Sequence, residues 1–489
     1  MSNKPCEIIP IPKKYDLHPT EQPWPRQIEV TCEVPAAEPL RNAYASDLGG
    51  RADGVMSVRL GAGDLPASCY ELDFGESHVD VRAGDINGFR YALNTLKQIA
   101  SSGRVPTGRI CDGPTLRFRG FHLNFDHYRR MGIDEALRLM QAAAAFKLNV
   151  LLVEYGSRFP FTSHPQLRDD LALTPDDIGR LNSRAAELGI KIIPFQQSIA
   201  HLEFALRHPH LAHLRERPEK SNLLCPLHPE SLPLFKALAQ DILALHPNAK
   251  YFHLGADEAR KIGACSRCAP IAKQEGVGAL FGRYIGEATR WILEKGLRPI
   301  VWDDTFCAFP AALEHLPKET IIQYWDYIAV SDPTPVLIPR MAHLDGAPRV
   351  CHDWRWTVAD KRGKVPDVQR DVMKNYSEPA RLKTALGKPY MAEFGRYLGG
   401  GFPRWIRALP YLEYYQDRGH DVITSPTAIG NGDTKDGVPN FTRFEHNIRT
   451  HARRCTENKS ALGIISTAWY NMPPEILYQP LMVTAMSAW

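Results

Sequence analysis

The sequence contains no apolar run approaching the ~18 residues that a membrane-spanning helix needs. Its charges nearly cancel, at a net +4, and its lysines and arginines are scattered instead of forming the basic face typical of nucleic-acid binding. These absences argue against a membrane or nucleic acid as a partner. The start, MSNKPCEIIPIPKK, has no apolar segment behind its positive charges, so we expect no secretory signal and a cytoplasmic location.

The ten cysteines lack the spacing of a disulfide framework or a complete metal site. In a reducing compartment such residues are mostly small buried hydrophobes. Only Cys265 and Cys268 have the separation typical of metal ligands. Because a four-ligand zinc site needs two further ligands and no second pair is visible nearby, we expect these thiols to hold no metal. We also expect the protein to need no metal or organic cofactor.

What the sequence does contain is enough chain for two domains, or for one large barrel with an attachment, at 489 residues. The segments YELDFG and HVDVRAG alternate as strands of an antiparallel sheet do. They are followed by NGFRYALNTLKQIASSG, whose apolar residues recur at helical spacing, and by turn residues at 110–114. These patterns predict a small N-terminal α+β domain over residues 1–115.

From residue 116 to 489, short apolar strands alternate with amphipathic helices, as in parallel βα units. Because no Gly-rich phosphate loop follows the first strand, the pattern favours an α/β fold of the (β/α)8 TIM-barrel type over an open doubly wound sheet. Asp134 and Thr174 are predicted to cap two of the helices. A stretch at about 328–402 is predicted to be an insertion over the barrel mouth. The eight predicted strands cover residues 117–125, 149–155, 190–196, 250–257, 298–304, 320–326, 421–427 and 463–469.

Acids and tryptophans gather at the predicted carboxyl ends of these strands, where barrel enzymes have their active sites. A purely structural barrel would place few ionisable groups in one mouth, because each costs desolvation unless it is paired. Indole rings can stack on a sugar while carboxylates bind its hydroxyls, so the set predicts a sugar pocket, although each residue alone could equally be core, rim or cap. The candidate substrate-binding residues are Asp126, Glu154, His201, Trp302, Trp325, Tyr327, Asn431, Asp433 and Trp469.

The adjacent acids Asp257 and Glu258 are the candidate catalytic pair. Their Cα atoms are ~3.8 Å apart, so both carboxyls approach a bound sugar from the end of one strand. A separate acid and nucleophile would need to lie ~5–5.5 Å apart, on opposite sides of the scissile bond. The pair instead suits a retaining route in which the substrate's own 2-acetamido oxygen attacks the anomeric carbon, with Asp257 orienting that group and Glu258 as general acid and base. Repulsion between the two charges should raise the pKa of one of them.

The segment from His253 to Glu258, HLGADE, resembles the HxGxDE signature of glycoside hydrolase family 20, the β-N-acetylhexosaminidases. Residues 88–96 and 119–120 before it, and 301–304, 323–325 and 467–469 after it, match further family motifs in the same order. Residues 151–160 and 193–204 are similar to the hexosaminidase D-like group of that family. The resemblance implies an exo-acting enzyme on a barrel behind a small N-terminal domain, with the same two catalytic roles.

The resemblance also implies roles for the pocket residues. Trp302, Trp325 and Trp469 would wall the pocket, and His201 would support the acid. The family's tyrosine that binds the acetamido carbonyl falls at Asn431, unless Tyr327 replaces it.

Two departures from the family pattern bear on which sugar is preferred. Asp126 stands near the place of an arginine that holds the sugar's O3 and O4, and Asn471 replaces an acid. These changes, with the likeness to the hexosaminidase D-like group, favour terminal β-linked N-acetylgalactosamine over N-acetylglucosamine.

Several alternatives remain open from the residues alone. The enzyme could prefer N-acetylglucosamine or accept both sugars. The barrel could bind sugar without catalysis, or it could be a different glycosidase that pairs Glu258 with Asp303 or Glu154. The oligomeric state, including a homodimer, is also open.

Overall fold

The structure is a computed structural model of the chain. It describes residues 8–335, 388–430 and 439–489, apart from residues 128, 260, 328, 333, 403, 404 and 471. Most of the predicted insertion lies outside the described residues, as do the predicted pocket residues Asn431 and Asp433. Within the described part, every helix is too short or too polar to cross a membrane.

The N-terminal domain is a six-stranded sheet with two helices, in the strand order β1-β6-β4-β5-β3-β2. Strands β4 and β5 pair antiparallel as predicted, but β2, β3 and β5 run parallel, so the sheet is mixed. A helical connection between β2 and β3 allows this, because parallel neighbours need a crossover. The elements are β1 (Lys14–His18), β2 (Pro25–Cys32), α1 (Glu38–Ala45), β3 (Ala52–Ala62), β4 (Tyr70–Phe74), β5 (His78–Ala83), α2 (Ile86–Ser101) and β6 (Thr107–Asp112).

The second domain is a closed barrel of eight parallel strands, which confirms the predicted fold. The barrel closes because β19 pairs with both β7 and β17. All eight predicted strands are present in the predicted order, although β12 stops at His253, four residues before the predicted end. The barrel strands are β7 (Phe118–Asn124), β8 (Val150–Glu154), β9 (Lys191–Phe195), β12 (Tyr251–His253), β13 (Arg298–Trp302), β14 (Ile321–Trp325), β17 (Val422–Ser425) and β19 (Gly463–Ala468).

Helices and short extra strands connect the barrel strands. After β9 the chain forms a hairpin of β10 (Arg215–Arg217) and β11 (Lys220–Leu224). Outside the barrel proper also lie β15 (Thr334–Pro335), β16 (Trp405–Ile406) and β18 (Thr427–Ile429). The described helices are α3 (Ile133–Ala145), α4 (Pro175–Leu188), α5 (Glu203–Leu206), α6 (Ser231–Leu245), α7 (Cys268–Glu275), α8 (Val277–Glu294), α9 (Asp304–Ala308), α10 (Tyr411–Asp417), α11 (Phe441–Glu457) and α12 (Pro474–Ala488).

The two predicted helix caps had different outcomes. Thr174 caps α4 as predicted, since its hydroxyl accepts the backbone N–H of Asp177 at 3.1 Å. Asp134 is not a cap, because α3 begins one residue earlier, after Gly132. The backbone N–H of Gly132 donates to the side chain of Glu135 at 3.1 Å, and Asp134 pairs with Arg180 on α4 instead.

The N-terminal domain packs against the amino ends of the first barrel strands. Lys147, just before β8, is fully buried with its Nζ 3.3 Å from the Asp112 carboxylate. The indole N–H of the last residue, Trp489, donates to the same carboxylate at 2.9 Å. Arg119 of β7 donates to the Tyr91 hydroxyl at 2.7 Å. The domain therefore leaves the carboxyl ends of the strands available for a site.

Candidate active site

A cavity of about 610 Å³ lies at the carboxyl ends of the barrel strands, the end that barrel enzymes use. Its lining comes from six of the eight strand ends. Of the eleven residues predicted for the site, the structure brings together around this cavity Asp126, Glu154, His201, Asp257, Glu258, Trp325, Tyr327 and Trp469.

The predicted catalytic pair, Asp257 and Glu258, lies on an irregular segment that follows β12. Gly255, Ala256 and Glu258 all adopt left-handed backbone conformations, with φ of 69°, 75° and 47°. A Cβ atom at Gly255 would lie 1.9 Å from Oε1 of Gln197, so this position requires glycine. Left-handed non-glycine residues persist only where surrounding contacts hold them, and they cluster at functional sites. One such contact is the backbone N–H of Glu258, which donates to Asp304 at 3.0 Å.

His201 lies between the two carboxyls. Its Nε2 is 3.4 Å from Asp257 Oδ2 and 3.5 Å from Glu258 Oε2. Burial opposes a charge on this ring, but the carboxylate of Asp257, the hydrogen bond to it and the charge of Glu258 prevail and raise the pKa of His201 to about 10. The histidine is therefore an imidazolium at neutral pH.

The same imidazolium decides the charge of Asp257. Burial alone would raise the pKa of this carboxyl, but the charge of His201 and the hydrogen bond to it lower it below the ordinary value. The predicted rise in the pKa of one of the two acids is therefore not found at Asp257, because the positive ring of His201 lies between the carboxyls. Asp257 is thus suited to act as a carboxylate, not as an acid.

Asp257 also has an oxygen with no hydrogen-bond partner in the part of the chain that the structure describes. The residue is 6% exposed, and its Oδ1 is buried without a hydrogen-bond partner among the described residues. A buried polar atom left unpaired costs roughly 1–3 kcal/mol. Since the residue lines the cavity, a ligand N–H there could supply the missing partner.

Three aromatic side chains form one wall of the cavity. The rings of Trp325 and Tyr327 lie 4.8 Å apart, and the Trp469 indole N–H donates to the Tyr327 hydroxyl oxygen at 2.6 Å. Trp302, which the family resemblance placed in the wall with Trp325 and Trp469, is instead completely buried. It comes from within β13 and packs under Trp469, with ring centroids 5.8 Å apart, so it supports the wall from the barrel core and does not line the cavity.

The cavity lining also includes two acids that neighbouring residues hold in place. Asp126 Oδ2 accepts the backbone N–H and the hydroxyl of Ser157, each at 2.9 Å. Glu154 Oε2 accepts the side-chain amide of Asn124 at 2.9 Å. Both carboxyls are thereby fixed at the rim where a bound sugar would present hydroxyls.

Asp304 is a positioning residue that the sequence did not reveal. Besides the Glu258 N–H, this carboxylate accepts the indole N–H of Trp325 at 3.4 Å, so it links the catalytic segment to the aromatic wall. Its neighbour Asp303 is buried, accepts the Trp325 backbone N–H at 3.0 Å, and does not line the cavity. Of the two acids that the alternative glycosidase mechanism could pair with Glu258, only Glu154 therefore faces the cavity.

A group of possible metal ligands lies outside the cavity. Cys265 and Cys268 are joined by Cys225 and Glu216, with one ligand atom of each residue within 4.8 Å of the others. The expectation that the two cysteines have no further ligands nearby is therefore wrong. The two further ligands, Glu216 on β10 and Cys225 directly after β11, come from 40 or more residues earlier in the chain.

Family models match both domains. The model described as glycosyl hydrolase family 20, domain 2, matches residues 5–113, and that of the catalytic domain of the same family matches residues 117–335. Together they cover more than half of the chain, and the chain belongs to glycosyl hydrolase family 20.

Within this family, the chain is similar to proteins named Hexosaminidase D. It is 37% identical to the one from Bos taurus over 132 residues, which are 27% of this chain and 37% of that protein. It is 31% identical to the one from Homo sapiens over 208 residues, 41% of this chain and 42% of that protein. The matched stretches thus span about two fifths of the relatives' length.

Solved structures support the fold. The β-N-acetylhexosaminidase from Bacteroides fragilis superposes with a TM-score of 0.66 at 17% identity, covering 99% of this chain and 90% of that one. The family 20 β-N-acetylhexosaminidase from Streptomyces coelicolor gives a TM-score of 0.65 at 16% identity, covering 99% and 92%. At such identities the likeness shows the two-domain fold.

The raised pKa of His201 predicts a pH-dependent contribution to stability. Because the folded-state pKa of about 10 exceeds the ordinary 6.5, the folded protein binds this proton more tightly than the unfolded chain does. The stabilisation is therefore complete below about pH 6.5 and is lost as the pH rises toward about 10.

Urea unfolding of the wild type and His201→Gln at a series of pH values tests this. The free-energy difference between the two proteins should be largest at the acidic end of that window and shrink toward its alkaline end. The exposed His210, as His210→Gln, is the control and should show a constant difference. If the difference in unfolding free energy between the wild type and His201→Gln stayed constant from about pH 6.5 to about pH 10, the raised pKa of His201 would be contradicted.

Proposed function

We propose that this protein is a retaining exo-β-N-acetylhexosaminidase that uses the substrate's own acetamido group as the nucleophile. The observation that carries the proposal is the arrangement of Asp257, Glu258 and His201 at one end of a sugar-sized cavity. His201 holds the carboxyl of Asp257 ionised through Oδ2, and Oδ1 of the same carboxyl has no hydrogen-bond partner among the described residues. Glu258 lies on the same segment and lines the same cavity.

In the proposed first step, Glu258 donates a proton to the glycosidic oxygen. The acetamido carbonyl oxygen attacks the anomeric carbon, the bond to the leaving group breaks, and a cyclic oxazolinium ion forms. Its positive charge develops on the group whose N–H faces the carboxylate of Asp257. A preorganised charge aimed at the place where the opposite charge develops is an effective form of catalysis, and the unpartnered Oδ1 of Asp257 is suited to accept that N–H.

In the proposed second step, the Glu258 carboxylate takes a proton from water as the water attacks the anomeric carbon. The ring opens, the acetamido group is restored, and Glu258 is protonated again. Two inversions at the same carbon give net retention. Tyr327, whose hydroxyl oxygen accepts from Trp469, lines the cavity and is the candidate for binding the acetamido carbonyl, the role that the family resemblance leaves between Tyr327 and Asn431.

The aromatic and acidic sides of the cavity fit the rest of a hexosamine. Trp325 and Trp469 offer apolar ring faces to the sugar, while Asp126 and Glu154 offer carboxylates to its hydroxyls. A non-catalytic sugar-binding barrel would need the same stacking surface. It would have no use for a strained segment that brings two acids and an imidazolium together, because such strain costs stability.

The mechanism predicts that hydrolysis requires the 2-acetamido group. Nitrophenyl N-acetyl-β-hexosaminides should be hydrolysed orders of magnitude faster than the matched β-glucoside and β-galactoside, because only the former carry the nucleophile. A thiazoline that imitates the oxazolinium should be a competitive inhibitor. Comparable kcat/KM values on glycosides without the amide would refute the mechanism and favour a route through Glu154.

The two acids should show different losses when each is made neutral. Glu258→Gln should lower kcat by roughly 10²–10⁴, the usual contribution of general acid–base catalysis, and the loss should be smaller with a better leaving group. Asp257→Asn should be equally severe with every leaving group, because an amide does not offset the oxazolinium charge. The exposed Glu287 on α8, as Glu287→Gln, is the control. Near-normal turnover in either active-site variant would contradict the site.

We further propose that N-acetylgalactosamine is preferred over N-acetylglucosamine. The two sugars differ only in whether the hydroxyl at C4 is axial or equatorial, so polar groups around C4 decide between them. A site that hydrogen-bonds one hydroxyl can reject the other sugar by as much as ~10⁴-fold. Asp126, held by Ser157 at the cavity edge, stands where an arginine is expected in the family, and an acceptor there would change which C4 hydroxyl is bound.

The ratio of kcat/KM on the two nitrophenyl N-acetylhexosaminides tests this preference. Wild type should favour the galacto sugar, and Asp126→Asn should lose more activity on that sugar than on the gluco sugar. Glu203→Gln, at the outer rim of the cavity, should leave the ratio unchanged. A wild-type ratio at or below unity would contradict the preference while leaving the reaction class intact.

A further inference from the structure

We propose that Glu216, Cys225, Cys265 and Cys268 form a structural zinc site that holds the catalytic loop in place. The four residues come from two separate segments. Glu216 lies on β10 and Cys225 directly follows β11, whereas Cys265 and Cys268 follow the catalytic pair and begin α7. The proposal rests on these residues and does not depend on which glycoside is hydrolysed.

The sulfur positions match the size of a tetrahedral zinc site. Cys225 Sγ lies 3.5 Å from the Sγ atoms of both Cys265 and Cys268. Zinc with Zn–S bonds of ~2.3 Å separates its sulfur ligands by roughly 3.8 Å, so only a small expansion is needed. Three soft thiolates favour zinc over calcium, magnesium or manganese, which prefer oxygen ligands.

Glu216 is the proposed fourth ligand. If the cysteines were only small buried hydrophobic residues, the presence of a carboxylate beside them would have no explanation. The residue is 0% exposed, although a buried carboxylate is costly unless it is paired. Its Oε1 accepts the backbone N–H groups of Gly263, Ala264 and Cys265 at 2.8, 2.7 and 3.1 Å. Its Oε2 is buried and has no hydrogen-bond partner among the described residues. One oxygen is thus fixed by the loop, and the other is available to a cation beside the sulfurs.

The burial of the group indicates a closed structural site. Cys225 is 2% exposed and Cys268 is 0% exposed, and Cys265 is half-buried. Four protein ligands complete a tetrahedron and leave no open position, as in structural zinc sites. The backbone N–H of Cys268 also points to Cys265 Sγ at 3.3 Å, a contact that would stabilise a thiolate.

Such a site would tie together the two segments that build the charged cluster. The hairpin strand β11 pairs with the chain beside His201, through the bridge between Ala200 and Leu223. The backbone N–H of Leu224 donates to the carbonyl of Ile199 at 2.9 Å. Zinc would join this hairpin to the loop that begins with Asp257 and Glu258. It would therefore hold His201 and the two acids at their mutual distances without touching the substrate.

The native protein provides the first test. Elemental analysis of protein purified without added chelator should find one equivalent of zinc. A thiol-specific mercurial should release it to a colorimetric zinc indicator. Cobalt exchanged into the protein should give thiolate charge-transfer bands and the strong visible absorption of tetrahedral Co²⁺. Protein that contains no zinc and takes up no tetrahedral cobalt would overturn the proposal.

Variants show whether these residues are the ligands. Cys225→Ser and Glu216→Gln should each lose bound zinc, and the second leaves all three thiols in place if the first does not fold. Cys32→Ser, a cysteine of the N-terminal domain, is the matched control and should keep the zinc. His228→Ala is a second control, because His213, His228 and Glu230 form a separate, more exposed group of possible ligands. Loss of zinc in His228→Ala alone would place the metal there and refute the assignment.

A disulfide is the competing explanation for the close sulfurs, and a thiol count separates the two. After denaturation with a chelator under non-reducing conditions, all ten cysteines should react if zinc was bound. A count lower by two in the native preparation would indicate a disulfide and overturn the zinc site. Hydrogen exchange in residues 199–203 and 261–268 should also accelerate when zinc is removed, whereas exchange in α2 of the N-terminal domain should not.

Discussion

The candidate active site depends on a positive charge placed between two acids that are neighbours in the chain. Asp257 and Glu258 cannot move apart, since one peptide unit joins them, and Asp257 is almost completely removed from water. The imidazolium of His201, within 3.5 Å of both carboxyls, lowers the cost of holding these charges together. It also gives the acids different environments, because Asp257 is the more deeply buried partner while Glu258 faces the cavity more openly.

Because Asp257, Glu258 and His201 must be held together, many of the residues that position them lie in the loops after the barrel strands. The barrel places the carboxyl ends of its strands at one mouth, but β12 has only three residues and ends before Asp257 and Glu258. The segment from Gly255 to Glu258 has repeated left-handed residues and no regular backbone pairing of its own. Its order must come from contacts with other loops, of which those to Asp304 and His201 are the principal ones. Asp304 follows β13 and His201 follows β9, so a closed barrel is needed to bring the two residues to one segment.

The parts of the fold and of the candidate site that could be predicted from the sequence are those that depend on local sequence patterns. Apolar runs located all eight barrel strands, and the spacing of Phe89 to Ile99 located α2. The HxGxDE pattern and the strand-end positions predicted eight of the residues that line the cavity, including Asp257 and Glu258. What local patterns could not show was the direction in which a side chain leaves its strand. Trp302 was expected in the wall because it follows an apolar run, yet its position on β13 points it into the barrel core.

Long-range pairings were the second kind of feature that the sequence did not reveal. Like-charge repulsion between Asp257 and Glu258 was evident from their adjacency, but the opposing charge of His201 lies 56 residues earlier and acts only through the fold. The same holds for Cys225 and Glu216, which approach Cys265 and Cys268 because a hairpin after β9 folds across the loop after β12. These two pairings are connected, since the hairpin is bonded to the chain beside His201. The segment with His201 and the segment with Asp257 and Glu258 are therefore held together at two places. One is the contact of His201 with the two acids, and the other is the cluster of Cys225 with Cys265 and Cys268. An irregular loop fixed at two points has far less freedom than one fixed at a single point, and this is how a strained catalytic segment can keep its geometry without a strand or helix of its own.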